Sequence, residues 1–360
     1  MKADLVQLDL RINKVDKEFE KFLKPYNYSI PLELIAKKPA SPRDSAKLMV
    51  YRRKTCEIFF DRFKNLTKYL PSKAVLVLND TKVLPARLAV KKETGGLVRI
   101  LYIGKKGGLL EFLADRHLDI NSRISINKKI FFTVKEKIGS HYFLKSSFPV
   151  NETFEVLDKY GSTPIPPYIK NSPLSEKELR KEYQAIFADK KGSVAAPTAS
   201  LHFTKELLAK IKRSGMKIVY VTLHVNLGTF APLTEESIKR SKLHTEYYEI
   251  SKRSAEILNK AKKEGLPIIP VGTTALRALE SASNKKGILR KLKGKTDIFI
   301  KEGDKLCFAN GLVTNFHVPK SSLMMLVATL VGRKILLGMY RLAIKKKFRF
   351  FSFGDGMMII

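Results

Sequence analysis

Cysteine is scarce in this sequence. The 360 residues include two, Cys56 and Cys307, and neither has a second cysteine or a histidine at the spacing that zinc ligands require. Two isolated cysteines are too few for the disulfide framework of a small secreted protein. We therefore expect neither a disulfide-stabilised fold nor a structural metal site.

Long apolar segments are also absent. The longest run, residues 323–331, is followed by Arg333 and Lys334 and is shorter than the roughly 20 residues that a membrane-spanning helix needs. The first residues carry charge at Lys2 and Asp4 and lack the apolar core of a secretory signal. We expect a cytoplasmic protein with no membrane association.

Acidic residues are few relative to basic ones. Asp and Glu total 34 against 68 Lys and Arg, which gives a formal net charge of +34. Such an excess attracts polyanions through steering and counterion release, and it favours a nucleic-acid partner. The alternative is a general enrichment of surface lysine with no bearing on function. The length and the hydrophobic content of 44% suit two folded domains with a sizeable core.

One stretch of small residues organises the rest of the chain. Residues 192–204 read GSVAAPTASLHFT, which is too small in side-chain volume to build a core and is broken by Pro197. We predict an ordered loop that allows close approach to its backbone, with Ser193 and Thr198 in it and His202 near its end. Thr204 is predicted to cap a helix that ends near Gly215.

A strand over residues 217–225 follows, and it places His224 at its carboxyl end, before the loop that contains Gly228 and Thr229. Loops at helix starts and at the carboxyl ends of strands usually hold the ligands of open α/β sheets. The alternative is that the small residues only pack two elements closely and that the histidines are structural.

Two further strands end in polar residues. Residues 76–88 form an apolar strand that leads into Asn79, Asp80 and Arg87, which are either ligand contacts or turn formers. Residues 268–281 read as strand, tight turn and helix. Thr273 or Thr274 is predicted to cap this helix, whose free N–H groups are suited to a carboxylate or phosphate, although many α/β folds with this geometry bind nothing.

Short alternating runs with glycine or asparagine in the connections fill residues 89–150 and predict a small antiparallel β-barrel. The fold class that follows is α/β, with a larger three-layer α/β domain and an inserted small antiparallel β-barrel domain. The larger domain comprises residues 25–88 and 151–360. Residues 1–24 carry the apolar spacing of an amphipathic helix and are assigned as an N-terminal extension.

Five blocks of this sequence resemble the S-adenosylmethionine:tRNA ribosyltransferase-isomerase family of queuosine biosynthesis. They are the stretch at 192–204, the segment VTLHVNLGTF at 221–230, NDTKVLPAR at 79–87, VGTTALRALES at 271–281 and FRFFSFGDGM at 348–357. The resemblance extends from about Tyr26 to Met358 in the family's order. Lys82, Ser200, Asn226 and Leu227 depart from the family's residues.

The resemblance implies an activity. The family transfers and isomerises the ribosyl part of S-adenosylmethionine onto the aminomethyl group of a 7-deazaguanine at the tRNA wobble position, which gives epoxyqueuosine-tRNA and releases adenine and methionine. S-adenosylmethionine is then a consumed substrate, so no separate cofactor and no metal are implied. The expected partners are S-adenosylmethionine and the anticodon arm of tRNA, bound by a monomer.

This chemistry needs a base, a proton or hydrogen bond for departing adenine, and electrostatic support for the sugar. The catalytic candidates in the matched blocks and beside them are His202, His224, His317, Asp80 and Asp355. The substrate-binding candidates are Asn79, Arg87, Ser193, Thr198, Gly228, Thr229, Thr273, Thr274, Arg277, Glu280, Asn315 and Arg349. The arginines suit the methionine carboxylate or RNA phosphate, because guanidinium binds both in a bidentate manner.

Two other functions compete. A non-catalytic tRNA- or rRNA-binding protein would keep the fold and lack the activity, and the departures from the family's residues suit that reading. An ordinary methyltransferase would need a glycine-rich nucleotide loop after an early strand, and the sequence has none.

Overall fold

The computed structural model describes residues 17–226 and 232–360. The protein combines a nine-stranded mixed sheet, flanked by helices, with a closed six-stranded antiparallel barrel. The predicted fold class is confirmed. Most of the predicted N-terminal helix lies outside the described residues, which contain its last part as α1 (Lys17–Leu23).

The large sheet places four parallel strands at its centre. In spatial order its strands are β15 (Lys293–Ile298), β13 (Lys242–Glu249), β12 (Lys217–His224), β3 (Val75–Asn79), β14 (Ile268–Val271), β16 (Leu312–Asn315), β17 (Gly356–Ile359), β1 (Lys47–Arg52) and β2 (Glu57–Arg62). Strands β12, β3, β14 and β16 are parallel, whereas β17 is antiparallel to β16 and parallel to β1. The carboxyl ends of the four central strands therefore share one edge, here called the upper edge, with the amino ends of β17 and β1.

Helices cover both faces of this sheet and make it the middle of three layers. The other helices are α2 (Thr153–Tyr160), α3 (Glu176–Glu182), α4 (Lys205–Arg213), α5 (Glu235–Arg240), α6 (Lys252–Lys263), α7 (Thr273–Ala282), α8 (Ser322–Val331) and α9 (Arg333–Lys345). Leu258 and Leu279 bury α6 and α7 against one face, and α8 and α9 extend that layer over β16, β17 and β1. Leu207 and Ile211 bury α4 against the opposite face.

Side-chain caps begin several of these helices, and the predicted cap at Thr204 is one of them. The Thr204 hydroxyl accepts a hydrogen bond of 3.1 Å from the Leu207 N–H at the start of α4, and Gly215 with φ 76° follows its end. Ser251 caps α6 and Ser321 caps α8 in the same way. Each cap satisfies an N–H group that would otherwise lack a partner.

The barrel is formed by β5 (Arg87–Lys92), β6 (Leu97–Lys106), β7 (Leu109–Ala114), β8 (Arg123–Ser125), β9 (Phe131–Ile138) and β10 (His141–Ser146). Alternate residues of its strands fill the interior, among them Val90, Ile100, Phe112 and Phe132. The division into an inserted domain of residues 89–150 and a larger domain around it remains a prediction.

A short parallel ribbon and α2 join the barrel to the large sheet. The ribbon pairs β4 (Thr81–Val83) with β11 (Lys190–Ser193), directly after β3. Leu157 of α2 packs into the barrel core, and Gly161 ends α2 against the carbonyl of Pro85, where a Cβ atom would collide with the backbone. This close approach explains the need for glycine at position 161.

Within the described residues no single helix is long and apolar enough to cross a bilayer, although α8 and α9, bent by 108° relative to each other, reach that length and composition as a pair.

Candidate active site

A cleft of about 520 Å³ lies at the upper edge, where β14 and β16 end. Its polar lining comes from Thr198, Thr273, Thr274, Thr314, Asn315, His317 and Ser352. Its apolar lining includes Tyr168, Ala196, Pro197, Phe316, Leu323 and Phe351. The mixture of an apolar wall with a few polar groups is typical of small-molecule sites.

The N-terminus of α7 faces this cleft without a side-chain cap. Gly272, with φ 87°, precedes the helix, and among the residues that the structure describes no side chain accepts from its first N–H groups. The predicted capping role of Thr273 or Thr274 is wrong, because the glycine occupies the capping position. The Thr274 hydroxyl is buried and has no hydrogen-bond partner within residues 17–226 and 232–360. A helix start with free N–H groups and an unused hydroxyl is suited to an anion such as a carboxylate.

Glycine at position 272 also keeps this end of the cleft open. A Cβ atom at Gly272 would lie 3.5 Å from the Thr274 Oγ1 atom and 3.8 Å from the Ala199 Cβ atom. The space beside the uncapped helix start is therefore bounded by groups that line the cleft.

Asn315 connects the cleft to the small-residue loop. Its side-chain oxygen accepts a 2.9 Å hydrogen bond from the Thr198 hydroxyl. Its amide nitrogen donates to His202 Nε2 at 3.3 Å and to the Phe351 carbonyl at 3.3 Å. Because the amide nitrogen donates, His202 Nε2 acts as an acceptor and the proton of this imidazole is on Nδ1. Asn315, at 2% exposure, thus fixes the position of several elements around the cleft.

His317 and His202 are both buried and neutral. Burial lowers the pKa of His317 to about 3 and, with a further contribution from Arg349 and Arg43, lowers the pKa of His202 to about 3. His317 lines the cleft and shares a 2.8 Å hydrogen bond with the Thr314 hydroxyl. His202 stacks on Phe63 behind Asn315, with 4.0 Å between ring centroids. At neutral pH either side chain acts as a neutral hydrogen-bonding imidazole.

These two histidines make folding stability depend on pH. In the unfolded chain their pKa is about 6.5, so between pH 6.5 and 3 the unfolded state binds more protons than the folded state. The free energy of unfolding is therefore expected to fall by about 2 kcal/mol per histidine between pH 7.5 and 5.0. Urea unfolding at the two pH values measures this, and His317→Gln should remove about half of the decrease. A free energy that is independent of pH over this range would contradict the buried neutral state.

Aromatic residues that sequence reasoning did not select form one wall of the cleft. The Tyr168 hydroxyl is 2.6 Å from the Ser352 hydroxyl, and the Tyr168 ring packs on Phe351 at 5.0 Å between centroids. Burial raises the pKa of Tyr168 above its ordinary value, so it stays protonated. The sequence does hold one signal for Tyr168, because it is the single tyrosine of the proline-rich segment at 164–169 and a loop that only links two elements has no need of it.

Asp355 and Arg349 do not line the cleft. Asp355 contacts Asn315, which lines it, and Arg349 contacts Asp355. The Asp355 carboxylate accepts from the Arg349 backbone N–H at 2.8 Å, from its guanidinium at 3.0 Å and from the Lys47 backbone N–H at 3.1 Å. Its carbonyl lies 3.5 Å from the amide nitrogen of Asn315. The side chain of Asp355, at 1% exposure, is thus used to hold the chain together.

His224 and Asp80 form a separate group at the same edge. Val225 lines the cleft, whereas the His224 side chain lies on the opposite face of β12. The His224 Nδ1 atom is 2.8 Å from the Thr81 hydroxyl, and its ring packs against Gly192. The Asp80 carboxylate accepts a 2.6 Å hydrogen bond from Thr222 on that face. Burial raises the pKa of Asp80 and lowers that of His224.

Other predicted substrate contacts are engaged within the protein. The Asn79 side chain pairs with the backbone of Leu223, and the Ser193 hydroxyl accepts from the Val225 N–H at 2.7 Å. The Glu280 carboxylate accepts from three backbone N–H groups at residues 307–309. None of these three side chains lines the cleft.

The two remaining arginine candidates differ in their surroundings. Arg277 forms a buried ion pair with Glu246 of β13, so its charge is neutralised inside the protein. Arg87 donates to the Ile165 carbonyl at 3.4 Å at the base of the barrel, away from the cleft lining. Gly228 and Thr229 lie outside the described residues. The structure thus brings Thr198, Thr273, Thr274, Asn315 and His317 together and places the other described candidates behind or beside them.

Arg43 and Asp44, which lie just before β1, contact other segments of the protein. Arg43 donates to the carbonyls of Gln184 and Lys181 at the end of α3. Asp44 accepts from the Thr204 hydroxyl at 3.1 Å. Among the residues that the structure describes, no group of three or more His, Cys, Asp and Glu side chains is arranged to hold a metal ion.

Comparison with known proteins shows the family of this chain. The family model described as queuosine biosynthesis protein matches residues 23–359. This chain belongs to that family. The resemblance of its five sequence blocks is therefore confirmed.

Individual relatives in the queuosine biosynthesis family match over nearly their whole length. The S-adenosylmethionine:tRNA ribosyltransferase-isomerase of Thermoanaerobacter sp. (strain X514) is 41% identical over 93% of this chain and 98% of its own. That of Carboxydothermus hydrogenoformans is 44% identical over 94% of this chain and 99% of its own. The crystal structure of S-adenosylmethionine tRNA ribosyltransferase from Thermotoga maritima matches with a TM-score of 0.54 and 29% identity, covering 93% of this chain and 100% of that chain.

Proposed function

We propose that this chain is an S-adenosylmethionine:tRNA ribosyltransferase-isomerase and that the cleft at the upper edge binds S-adenosylmethionine. The observation that carries the proposal is one cleft lined by both the uncapped start of α7 and an aromatic wall, in a chain whose relatives over more than nine-tenths of its length are named for this reaction. The ribosyl group of S-adenosylmethionine is transferred to the aminomethyl nitrogen of the wobble 7-deazaguanine of tRNA, and adenine and methionine leave.

The charges of S-adenosylmethionine suit the two ends of the cleft. Its carboxylate is expected at the first N–H groups of α7 and the hydroxyl of Thr274, where the helix dipole favours a negative charge. Its sulfonium is expected beside Tyr168 and Phe351, since aromatic faces attract cations. This orientation places the ribose between the two ends, near Asn315.

His317 is the predicted catalytic candidate that lines the cleft. Because burial keeps it neutral, it is proposed to donate a hydrogen bond to departing adenine rather than to transfer a proton as imidazolium. His202, Asp355 and Arg349 are proposed to hold Asn315 and the adjoining chain in position. Asp80 and His224 retain their candidacy as acid–base residues only if substrate reaches their side of β12.

Incubation with S-adenosylmethionine and tRNA that carries the aminomethyl-deazaguanine tests the function. Release of adenine together with methionine supports it. Tight binding of tRNA without turnover would favour the non-catalytic alternative, and formation of S-adenosylhomocysteine would identify a methyltransferase. A cytoplasmic location belongs to the proposal because tRNA is the substrate, and action as a monomer is proposed with it.

Thr274→Val is expected to raise the KM for S-adenosylmethionine about tenfold, because a hydrogen bond to a carboxylate is lost. The fold should be unaffected or slightly stabilised, since the Thr274 hydroxyl has no partner in the described part of the chain and valine has nearly the same shape. Thr329→Val is a matched control on α8, where the hydroxyl donates to the Met325 carbonyl. The steady-state rate of adenine release measures both. An unchanged KM in Thr274→Val would show that the carboxylate of S-adenosylmethionine does not bind at Thr274.

A further inference from the structure

A group of lysines lies around the end of α9, and one of them contacts an exposed aromatic ring. The side chains are Lys38, Lys47, Lys345, Lys346, Lys347 and Phe60, here called the α9 basic patch. The Lys346 ammonium lies 5.4 Å from the centroid of the Phe60 ring, which is 40% exposed. The Lys47 ammonium donates to the carbonyls of Lys346 and Lys347 at 3.0 and 2.9 Å. These contacts connect the end of α9 to β1 and β2.

The positive charge of the α9 basic patch lies at the protein surface. Lys38, Lys345, Lys346 and Lys347 are exposed. The Asp355 carboxylate is buried and bonded to Arg349, and the Arg349 guanidinium also donates to the Lys38 carbonyl at 3.4 Å. The exposed cations of α5, in contrast, pair with carboxylates one turn earlier, as in Lys239 with Glu235 and Arg240 with Glu236 at 2.9 Å.

The patch adjoins the cleft at the upper edge. Arg349 is bonded to Asp355, whose carbonyl lies 3.5 Å from the amide of Asn315, and Phe351 and Ser352 line the cleft two and three residues after Arg349. Gly356, the first residue of β17, pairs with Asn315, the last residue of β16. A polyanion that contacts the end of α9 is therefore held next to the opening that its reacting base must enter.

We infer that the α9 basic patch binds the sugar-phosphate backbone of the RNA substrate beside the nucleotide that enters the cleft, and that Phe60 stacks on a neighbouring loop base. The inference rests on the proposed function. Lysines bind phosphates as point charges, and loop bases of RNA stack on exposed aromatic rings beside such charges. A base that reacts inside a pocket leaves its stack, so the backbone on either side needs to be held.

The alternative explanation is local: cations in the last turn of a helix interact favourably with its dipole. The end of α4 provides a matched control, because Lys212 and Arg213 are exposed there in the same setting. Helix α4 leads into the amino end of β12, at the edge of the sheet opposite the cleft. Removing charge at either helix end has a similar effect on stability, but only the α9 end is expected to affect RNA.

The experiment compares Lys345→Gln/Lys346→Gln with Lys212→Gln/Arg213→Gln. Affinity for an anticodon stem-loop is measured by fluorescence anisotropy between 50 and 300 mM KCl, along with the kinetics of adenine release. The α9 variant is expected to bind about tenfold more weakly at 0.1 M salt and to lose about 1.4 from the slope of log K against log salt, as for two single-strand phosphate contacts. Its KM for RNA rises by the same factor, while its kcat at saturating RNA and its KM for S-adenosylmethionine stay at the parent's values.

The stacking role of Phe60 has its own variant. Phe60→Leu keeps the apolar contact with Phe348 and removes the aromatic face, and it is expected to weaken stem-loop binding about fivefold without changing the salt slope. If the parent binds RNA and releases adenine, and the α9 variant and the α4 control have equal RNA affinity, RNA binding by the α9 basic patch is wrong. The proposed function is then unaffected. A parent that neither binds the stem-loop nor releases adenine overturns both.

Discussion

Replacing Asn315 by alanine is expected to lower kcat/KM for adenine release by about 10² to 10³-fold. The side chain joins Thr198, His202 and the Phe351 carbonyl beside the cleft, so its loss displaces several lining groups at once. Misplacement of reacting groups by about 1 Å costs on the order of a hundredfold in rate, and loss of one preorganised donor costs about 10² to 10³-fold, so the expected loss lies in that range. Adenine release at varied S-adenosylmethionine concentrations measures the effect.

A loss of stability alone would mimic this result, and Asn79→Ala controls for it. Asn79 is also a fully buried asparagine at the carboxyl end of a central strand, and its amide pairs with the backbone of Leu223 and Thr81. Each variant leaves buried polar groups without partners and should lower the free energy of unfolding by about 1 to 3 kcal/mol. Equal losses of activity in the two variants at a temperature where both are folded would show that Asn315 has no special role at the cleft.

Glu246→Leu is expected to lower the free energy of unfolding by about 3 to 5 kcal/mol, because it leaves the Arg277 guanidinium buried without its carboxylate. The two side chains are 1% and 3% exposed. Glu246 also accepts from the Asn226 backbone N–H at 3.1 Å, so the chain after β12 loses an anchor. Urea unfolding measures the change.

Two further variants separate the charge effect from other causes. Glu246→Leu/Arg277→Met is expected to recover most of the lost stability, since two apolar side chains replace the buried pair. Glu236→Ala removes one partner of an exposed pair and should cost about 0.5 kcal/mol or less. If the double variant also keeps the parent's KM for S-adenosylmethionine and RNA, Arg277 is not a substrate contact. A single variant as stable as the parent would contradict the buried ion pair.

Local sequence rules accounted for most of the elements. Thr204 caps its helix as predicted, because a hydroxyl within reach of an N–H group two or three residues ahead depends only on the adjacent chain. The alternating runs of residues 89–150 form barrel strands for a similar reason, since a two-residue period places apolar side chains on one face.

The cap of α7 shows where such rules fail. Threonine at position 273 or 274 has the right chemistry, but Gly272 takes a positive φ and occupies the capping position itself. That backbone conformation depends on the N–H of Gly272 donating to Val313 of β16, which is distant in the sequence. The hydroxyl of Thr274 is consequently left unused beside the cleft.

The amino-acid order alone established the family, the α/β class with its barrel, the basic character and the set of polar residues at strand ends. These follow from composition, periodicity and short motifs, which need no knowledge of distant contacts. Only the tertiary structure decided which of those residues share a cleft. The pairing of β16 with β14 and β17 brings Asn315 beside Thr273 and the chain after Arg349, whereas strand alternation turns Val225 toward the cleft and His224 away from it. A shift of one residue along a strand reverses the face, and that register is determined by contacts between strands far apart in the chain.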